Sequence, residues 1–297
     1  MAVSMRGSER VSNRTTNKSL KGRLALAAAV SLTASGVWST CAEAARGGND
    51  VKGAQVLAGA AQISNKGNST TIRAIDKTII KYDRFNIPRN GTVKFIQPSS
   101  SSRVLNRIDS ATPSRIEGHF TANGIVFFVN PAGVMFGPTA VVDVGRLYAG
   151  AGTIGDQDFL GGINKFSTAS GSVVNQGKIS GEQVHLFGSQ VVNRGAIVAD
   201  GGIVTMSSGK DVFIGEEGGN IMVKVGTIAT GTGAGQGAAV INSGTISAGS
   251  VRLKGAGDVY SLAVNTSGMI KSKDIAIDGG AGTALVSGKL DASDSAA

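Results

Sequence analysis

A five-residue pattern, Asn-x-Gly-x-Ile, recurs in the C-terminal half of the chain and restricts the fold more than any other feature. Copies begin at Asn175, Asn193 and Asn242, and a variant with one extra residue begins at Asn265. The successive intervals are 18, 49 and 23 residues. A period near 20 residues, with short strand-like segments between the copies, is typical of a β-solenoid, in which each repeat stacks on the next.

The same pattern predicts how the repeats stack. The Ile of each copy is expected to point into a shared core, and the Gly to allow a corner with positive φ. Asparagines at equivalent corners can hydrogen-bond to one another along the stack, as in cross-β ladders. We therefore predict an inward-facing ladder at Asn175, Asn193, Asn242 and Asn265. The alternative is an ordinary β-sandwich with unrelated Asn-Gly turns, whose hairpins would not be expected to repeat the following Ile.

The chain beyond Val51 favours strands throughout. β-Branched runs bounded by Gly, Asn and Ser recur, for example in 92–96 and 125–129, and no amphipathic helices alternate with them. A doubly wound α/β sheet and a TIM barrel are therefore unsupported. The expected fold class is all-β, a parallel β-solenoid whose insertions, such as the Gly-rich segment 229–237, form surface loops.

The first 44 residues predict a secretory signal peptide. Six Arg and Lys residues precede the apolar run Leu24–Val37, and Ala42-Glu43-Ala44 supplies a small-x-small cleavage pattern. An apolar run of 14 residues is too short to span a hydrocarbon core about 30 Å thick, which disfavours a membrane anchor. The residues before Cys41 match a lipoprotein signal poorly, which disfavours lipidation. We expect residues 45–297 to form the mature domain.

Charge and cysteine content narrow the classes of function. Residues 45–120 hold 12 basic and five acidic side chains, whereas 121–297 hold 11 and 13. A basic segment suits an anionic partner, but these charges are scattered singly and are not interleaved with stacking aromatics, so no nucleic acid partner is expected. One Cys and two distant His residues exclude a disulfide framework and predict neither a metal site nor a cofactor.

Catalysis is not predicted either. The carboxylate pairs Asp156/Asp158 and Glu216/Glu217 lie in Gly-bearing loops without the Arg, Lys and aromatic neighbours that would hold a sugar. His185 has no identifiable partners for a nucleophile triad. A polysaccharide-active β-helix enzyme is therefore the least favoured of the functions considered.

The stretch from Phe95 to Gly150 contains several linked blocks in a fixed order. These blocks are Phe95-Ile96-Gln97-Pro98 with the serines that follow, Val104-Leu105-Asn106-Arg107-Ile108, Pro113-Ser114-Arg115-Ile116-Glu117-Gly118, Ala122-Asn123-Gly124, the segment 128–137 and Val142-Asp143-Val144-Gly145-Arg146-Leu147. Together they resemble the filamentous haemagglutinin N-terminal domain, which is the two-partner secretion domain of the haemagglutinin/haemolysin activity family. The general likeness extends over residues 51–297.

This resemblance implies a right-handed parallel β-helix with short extra-helical hairpins. It also implies passage through the inner membrane by the general secretory machinery, and recognition in the periplasm by an outer-membrane barrel transporter with POTRA domains. The expected location is the cell surface or the extracellular medium, with an adhesive role towards a host-cell or matrix surface. A free-standing or truncated β-helical adhesin without a dedicated transporter is the alternative.

The segment Asn130-Pro131-Ala132-Gly133-Val134 falls on the family motif Asn-Pro-Asn-Gly-Ile, with Ala at the third position and Val at the fifth. The family motif Asn-Pro-Asn-Leu has no clear counterpart here. The resemblance implies that Asn130, Pro131, Gly133 and Val134 take part in transporter recognition. The residue types alone suggest a turn, because Pro cannot donate to a strand ladder, Asn caps turns and Gly permits a corner. Both roles stay open at this point.

Overall fold

Strands separated by Gly-rich corners make up nearly all of the structure. The structure is a computed structural model, and it describes residues 48–217, 220–226, 238–257 and 261–292. The predicted signal peptide and the loop 229–237 lie outside the described residues.

The strands before the central part of the chain are β1 (Asp50–Lys52), β2 (Gln55–Ala58), β3 (Ala61–Lys66), β4 (Ser69–Ala74), β5 (Thr78–Tyr82), β6 (Arg84–Asn86), β7 (Thr92–Ile96), β8 (Arg103–Ile108) and β9 (Ser114–Ile116). They are followed by β10 (His119–Val129), β11 (Gly133–Phe136), β12 (Val141–Gly150), β13 (Gly152–Ile154), the helix α1 (Asp156–Gly161), β14 (Lys165–Thr168), β15 (Ser172–Asn175), β16 (Lys178–Ser180), β17 (Gln183–Gly188) and β18 (Gln190–Asn193).

The remaining strands are β19 (Ala196–Ser208), β20 (Asp211–Glu217), β21 (Asn220–Val225), β22 (Val240–Asn242), β23 (Thr245–Gly257), β24 (Leu262–Thr266), β25 (Met269–Gly280), β26 (Thr283–Val286) and β27 (Lys289–Asp291). Within the described ranges, no helix is both long enough and apolar enough to cross a membrane.

Parallel pairing between successive turns of the chain builds a β-helix, as predicted. A sheet of 14 strands follows the main path β2-β5-β8-β10-β12-β16-β19-β23-β25-β27, and a seven-stranded sheet has the order β26-β24-β22-β18-β15-β11-β9. From β7 onward each turn, or rung, contributes to both sheets. The larger sheet bends, because its register shifts between Ala122 and Ile125 and again between Ala199 and Ile203.

Antiparallel strands lie at the N-terminal end and outside the β-helix. At the N-terminal end, β1 pairs with β6, β2 with β5 and β3 with β4. A four-stranded antiparallel sheet, β13-β14-β20-β21, is formed by insertions into two rungs, and α1 connects its first two strands. We call this sheet, together with α1, the extra-helical layer.

The isoleucines of the repeat lie in the interior, as predicted. One interior row consists of residues in register on consecutive strands: Val93, Phe120, Val142, Ile179, Ile197, Ile246 and Ile270. Each of these side chains is at most 1% exposed. Full burial of one large apolar side chain contributes about 1.5–3 kcal/mol, so each rung gains stability chiefly by covering the row of its neighbour.

Buried amides form a second interior row. The Nδ2 of Asn175 donates to Oδ1 of Asn193 at 2.9 Å, and the Nδ2 of Asn193 donates to Oδ1 of Asn242 at 2.8 Å. The Nδ2 of Asn242 then donates to the hydroxyl of Thr266 at 3.3 Å. All four side chains are fully buried. Because each amide is both donor and acceptor, the row satisfies polar groups that would be costly if left unpaired.

Asn265 is not part of this row, and its predicted place in the ladder is wrong. The strand register pairs Asn242 with Thr266 and Ile241 with Asn265. In the other copies the asparagine lies two residues before the glycine, and in the variant copy Thr266 lies two residues before Gly268. Asn265 is therefore the extra residue, and it precedes the repeat. Successive residues of a strand face opposite sides, and a shift of one position therefore moves Asn265 out of the row.

The glycines of the repeat permit close approach of the corners, not a positive φ. Gly177, Gly195, Gly244 and Gly268 do not occur among the residues with positive φ. A Cβ on Gly195 would lie 2.1 Å from the carbonyl oxygen of Gly177, and the same distance separates a Cβ on Gly244 from Gly195 O. The expectation of a left-handed corner was therefore wrong. Successive corners stack so closely that a residue with a Cβ does not fit.

The amide row generates a prediction about stability. Asn193→Ala leaves the Oδ1 of Asn242 without a donor and leaves the Nδ2 of Asn175 only its long contact of 3.4 Å with the carbonyl of Ala196, so we expect the free energy of unfolding to fall by about 3 kcal/mol. Asn265→Ala is the matched control, since Asn265 Oδ1 is buried without a hydrogen-bond partner among the described residues. Its change should stay within about 0.5 kcal/mol. Urea unfolding measures both, and equal losses would contradict the assignment of the ladder.

The stacked glycines generate a second prediction. Gly195→Ala forces a methyl group against the backbone of the preceding corner and should destabilise the protein by about 3 kcal/mol. Gly161→Ala, in α1, places its Cβ where no atom lies within 4 Å and should change stability by less than about 1 kcal/mol. The urea midpoints of the two variants are compared with that of the unmodified chain. A tolerated Gly195→Ala would show that the corners have room to separate.

Candidate functional site

The chain changes direction between β10 and β11 at Asn130. Its Oδ1 accepts a hydrogen bond from the backbone N–H of Ala132 at 2.9 Å, and its Nδ2 donates to the carbonyl of Thr112 and the hydroxyl of Ser114, both at 3.1 Å. The backbone carbonyl of Asn130 accepts from the N–H of Gly133 at 2.9 Å. Asn130 is fully buried. Its side chain therefore closes its own turn and fastens that turn to the preceding rung.

Gly133 and Val134 are equally constrained. Gly133 has φ +124°, a conformation that residues with a side chain rarely adopt, and a Cβ there would lie 2.8 Å from the carbonyl oxygen of Ser172. Val134 is 1% exposed and belongs to the main core. Pro131 and Ala132 are half-buried at the tip of the turn. In the folded domain, the surface of the motif is thus limited mainly to these two residues.

A second turn, between β7 and β8, is held by residues to which the sequence analysis assigned no role. The Oδ1 of Asn123 accepts from the backbone N–H of Gln97, and its Nδ2 donates to the backbone carbonyl of Gln97, both at 2.8 Å. The buried Gln97 side chain donates to the carbonyls of Ser102, at 2.6 Å, and Ile125, at 3.2 Å. Asn123 thus replaces a strand neighbour where Pro98 ends the ladder. The signal that could have revealed this role is Pro98, which lies two residues beyond the end of β7.

Aromatic rings cover the outer face of the β-helix beneath the extra-helical layer. Phe127 and Tyr148 stack with centroids 4.3 Å apart and an interplanar angle of 2°. Phe159 of α1 and Phe166 of β14 pack against them and are fully buried. These side chains belong to a second core, separate from the interior of the β-helix. The outer face is therefore the place where the extra-helical layer attaches.

His185 lies in this outer layer. It stacks on Tyr148 with centroids 4.5 Å apart, and its ring nitrogens contact the hydroxyl of Thr205 at 2.9 Å and Gln183 Oε1 at 3.3 Å. It is fully buried, and this burial, with a smaller contribution from the positive charge of Arg146, lowers the pKa of His185 to about 3. The residue is held as a neutral structural group.

The two carboxylate pairs that the sequence analysis judged non-catalytic lie within secondary structure. Asp156 and Asp158 lie in the first turn of α1 instead of in a loop, and Asp156 forms an ion pair of 2.5 Å with Arg107. Glu216 and Glu217 belong to β20. In the part of the chain that the structure describes, no group of three His, Cys, Asp or Glu side chains could hold a metal ion.

Many basic side chains of the N-terminal segment have acidic partners. Ion pairs join Lys52 and Arg84 to Asp50, and Lys81 to Asp109. The Arg115 guanidinium lies 3.2 Å from Glu117. These pairs are largely exposed and contribute little each. They reduce the positive charge that this segment presents to a partner.

Comparison with known proteins identifies the class to which this β-helix and its turn motif belong. A family model described as the TPS secretion domain matches residues 48–291. The chain belongs to this family, which confirms the resemblance found in the sequence. Proteins with this domain are secreted exoproteins, and the domain implies a partner transporter in the outer membrane.

Two solved structures are similar over most of the chain. The HMW1 secretion domain from Haemophilus influenzae aligns with a TM-score of 0.67 and 26% identity, covering 81% of this chain and 66% of that one. The filamentous hemagglutinin secretion domain aligns with a TM-score of 0.55 and 14% identity, covering 82% of this chain and 96% of that one, which shows a common fold. The family match and the likeness to the HMW1 secretion domain favour a non-enzymatic role.

The curated relatives are named for binding and not for secretion. The Heme/hemopexin-binding protein of Haemophilus influenzae strain Rd is 35% identical over 174 residues, which cover 53% of this chain and 19% of the relative. A second protein of that name from the same species is 38% identical over 74 residues, 25% of this chain and 8% of the relative. The chain thus spans less than a fifth of the length of either.

The buried histidine generates a prediction about pH. The folded-state pKa of about 3 lies below the ordinary value of 6.5, so the unfolded chain binds a proton that the folded chain does not. The resulting stability is present above about pH 6.5 and is lost as the pH falls towards 3. We expect a loss of about 2 kcal/mol between pH 7.5 and pH 5 by urea unfolding.

Two variants isolate this contribution. His185→Gln removes the titrating group and should flatten the pH dependence, even if the variant is less stable overall. His119→Gln removes the other histidine, which is exposed at the start of β10, and should keep the dependence of the unmodified chain. If His185→Gln loses as much unfolding free energy between pH 7.5 and pH 5 as His119→Gln does, the burial of His185 does not cause the loss of stability in acid.

Proposed function

We propose that residues 45–297 form the module by which an outer-membrane transporter with POTRA domains recognises a secreted exoprotein. In this proposal, residues 1–44 direct the chain to the general secretory machinery and are removed on export to the periplasm. The observation that carries the proposal is the family match over residues 48–291, which includes the motif at Asn130. The proposed destination is the cell surface or the extracellular medium.

The burial of the motif bears on when recognition takes place. The side chains of Asn130 and Val134 are inaccessible in the folded domain, and Gly133 is buried against the next rung. A transporter that reads these residues must therefore meet them before the turn has formed. The same residues then serve two purposes at different times: they are recognised in the unfolded chain and close the turn after export.

The architecture supports passage in an unfolded state. The single cysteine of the chain is Cys41, so residues 45–297 cannot form an internal disulfide that would block a narrow pore. Each rung hydrogen-bonds to the rung before and the rung after it, and a solenoid of this kind folds by adding one rung at a time. Folding outside the cell can therefore begin while later rungs are still in transit.

Adhesion to a host-cell or matrix surface is the role that we propose for the exported protein. The names of the curated relatives favour a second candidate, the binding of heme or hemopexin. Binding of the purified chain to hemopexin and to heme, compared with its adhesion to cultured cells, discriminates between the two. A free-standing adhesin would reach the medium without a dedicated transporter.

Export of the chain in the presence and absence of the cognate transporter tests the proposal. Secretion should depend on the transporter, and Asn130→Ala should reduce the secreted amount by up to about tenfold when the transporter is limiting, since one polar contact is lost. Asn193→Ala is the matched control: it also removes a buried asparagine side chain from a hydrogen-bonded turn position, but it lies outside the motif. Its export should be close to that of the unmodified chain.

The two variants separate recognition from folding. If export falls equally in Asn130→Ala and Asn193→Ala, and in proportion to their losses of stability, then the motif acts in folding alone. If the unmodified chain reaches the medium equally well without the transporter, the free-standing adhesin is correct. Immunoblots of medium and periplasm, with urea unfolding of each purified variant, give both readouts.

A further inference from the structure

A cleft of about 350 Å³ lies between the outer face of the β-helix and the extra-helical layer. Its floor includes the stacked rings of Phe127 and Tyr148. One wall comes from the loop after α1, with Ile163 and Asn164, and another from β20, with Phe213. A cavity of this size, in which aromatic and aliphatic side chains lie beside polar and charged groups, is within the range of small-molecule sites.

Two arginines line the same cleft. Arg103 is in register with Ile125, and Ile125 with Arg146, so the three occupy equivalent positions on the adjacent strands β8, β10 and β12. Adjacent strands are about 4.8 Å apart, which places the two arginine backbones about 10 Å from each other across Ile125. The parallel register therefore positions two guanidinium groups at one opening.

Arg103 lies against aromatic rings in a partly desolvated environment. Its guanidinium lies 4.8 Å from the ring centroid of Phe127 and 5.1 Å from that of Phe159, and it donates to Asn164 Oδ1 at 2.8 Å. Burial lowers the pKa of Arg103. Among the described residues, no carboxylate forms an ion pair with Arg103 within 4 Å; the nearby Asp76 accepts from its backbone N–H instead. A guanidinium has five donors, and the bond to Asn164 uses one.

Arg146 is paired at the surface. Its Nε lies 3.4 Å from Glu182 Oε2, whose side chain is 66% exposed. An exposed pair of this length is weak, so an anion at the opening can compete with Glu182 for the arginine. At the rim of the cleft, Ile163 is 47% exposed, an apolar side chain with little protein cover.

We propose that this cleft binds a small organic anion, in which a carboxylate, sulfonate or phosphate is attached to an aromatic or apolar body. The anionic group lies between Arg103 and Arg146. It neutralises the partly desolvated guanidinium of Arg103 and accepts hydrogen bonds from the remaining N–H donors of that guanidinium. The body lies against Ile163 and Phe213. This site is independent of the transporter-recognition proposal, because it is formed only after the β-helix and the extra-helical layer have folded together.

Two fluorescent probes with the same ring system test the proposal on the full chain. The first is 8-anilinonaphthalene-1-sulfonate, and the second is N-phenyl-1-naphthylamine, which lacks the sulfonate. We expect saturable binding of the sulfonate at one site, and binding of the neutral probe at least about tenfold weaker. Equal affinity for the two probes, or no saturable binding of the sulfonate, would overturn the proposal.

Variants locate the site. Arg103→Gln should weaken binding of the sulfonate by about tenfold, whereas Arg252→Gln, which removes an arginine paired with Asp274 on another part of the surface, should leave it unchanged. Ile163→Glu places a negative charge at the rim, on a residue that is 47% exposed, and should weaken binding by at least about threefold. Ile163→Glu decides the question if Arg103→Gln does not fold by circular dichroism. Unchanged binding in the folded variants would show that the probe binds elsewhere.

Discussion

The parallel stacking of rungs is the constraint from which most of this structure follows. Strands about 4.8 Å apart place equivalent positions of successive turns directly above one another. A side chain that suits one level therefore suits the next, and isoleucine, amide and glycine each form a row of their own. The amides of Asn175, Asn193 and Asn242 satisfy one another in the interior, and the glycine corners permit the close approach that this spacing requires. The high glycine content of the chain is in this respect a packing requirement.

The interior and the outer face of the β-helix have different structural roles. The interior is filled by aliphatic rows and the amide ladder, and its residues are inaccessible. The outer face of the larger sheet carries aromatic rings that the extra-helical layer covers, with His185 held neutral among them. Beside these covered rings, a cleft lined by two arginines lies between the outer face and the extra-helical layer.

The motif at Asn130 shows how one segment can be a structural element and a candidate recognition signal. Both polar side-chain atoms of Asn130 form hydrogen bonds in the folded turn, and Gly133 has a conformation and a close contact that only glycine tolerates without strain. Ala132 contributes only its backbone N–H to the Asn130 side chain, so a side chain with hydrogen-bonding groups is not needed there for the turn itself. Recognition before folding reconciles the burial of these residues with a role in transport.

The amino-acid sequence by itself determined the β-helix and the interior position of the repeat isoleucines, because a stacked structure requires the same residue types at a regular interval along the chain. The linked blocks between Phe95 and Gly150 determined membership of the secretion-domain family. The sequence did not determine which of Asn265 and Thr266 joins the ladder, since that depends on a strand register set by the neighbouring rung. It also did not reveal why the repeat glycines are required, or that Asn123 holds Gln97. The arrangement of Arg103 and Arg146 around one cleft was likewise decided only by the tertiary structure. These features bring together residues that are distant in the chain, and the local sequence pattern does not specify how closely stacked rungs approach one another.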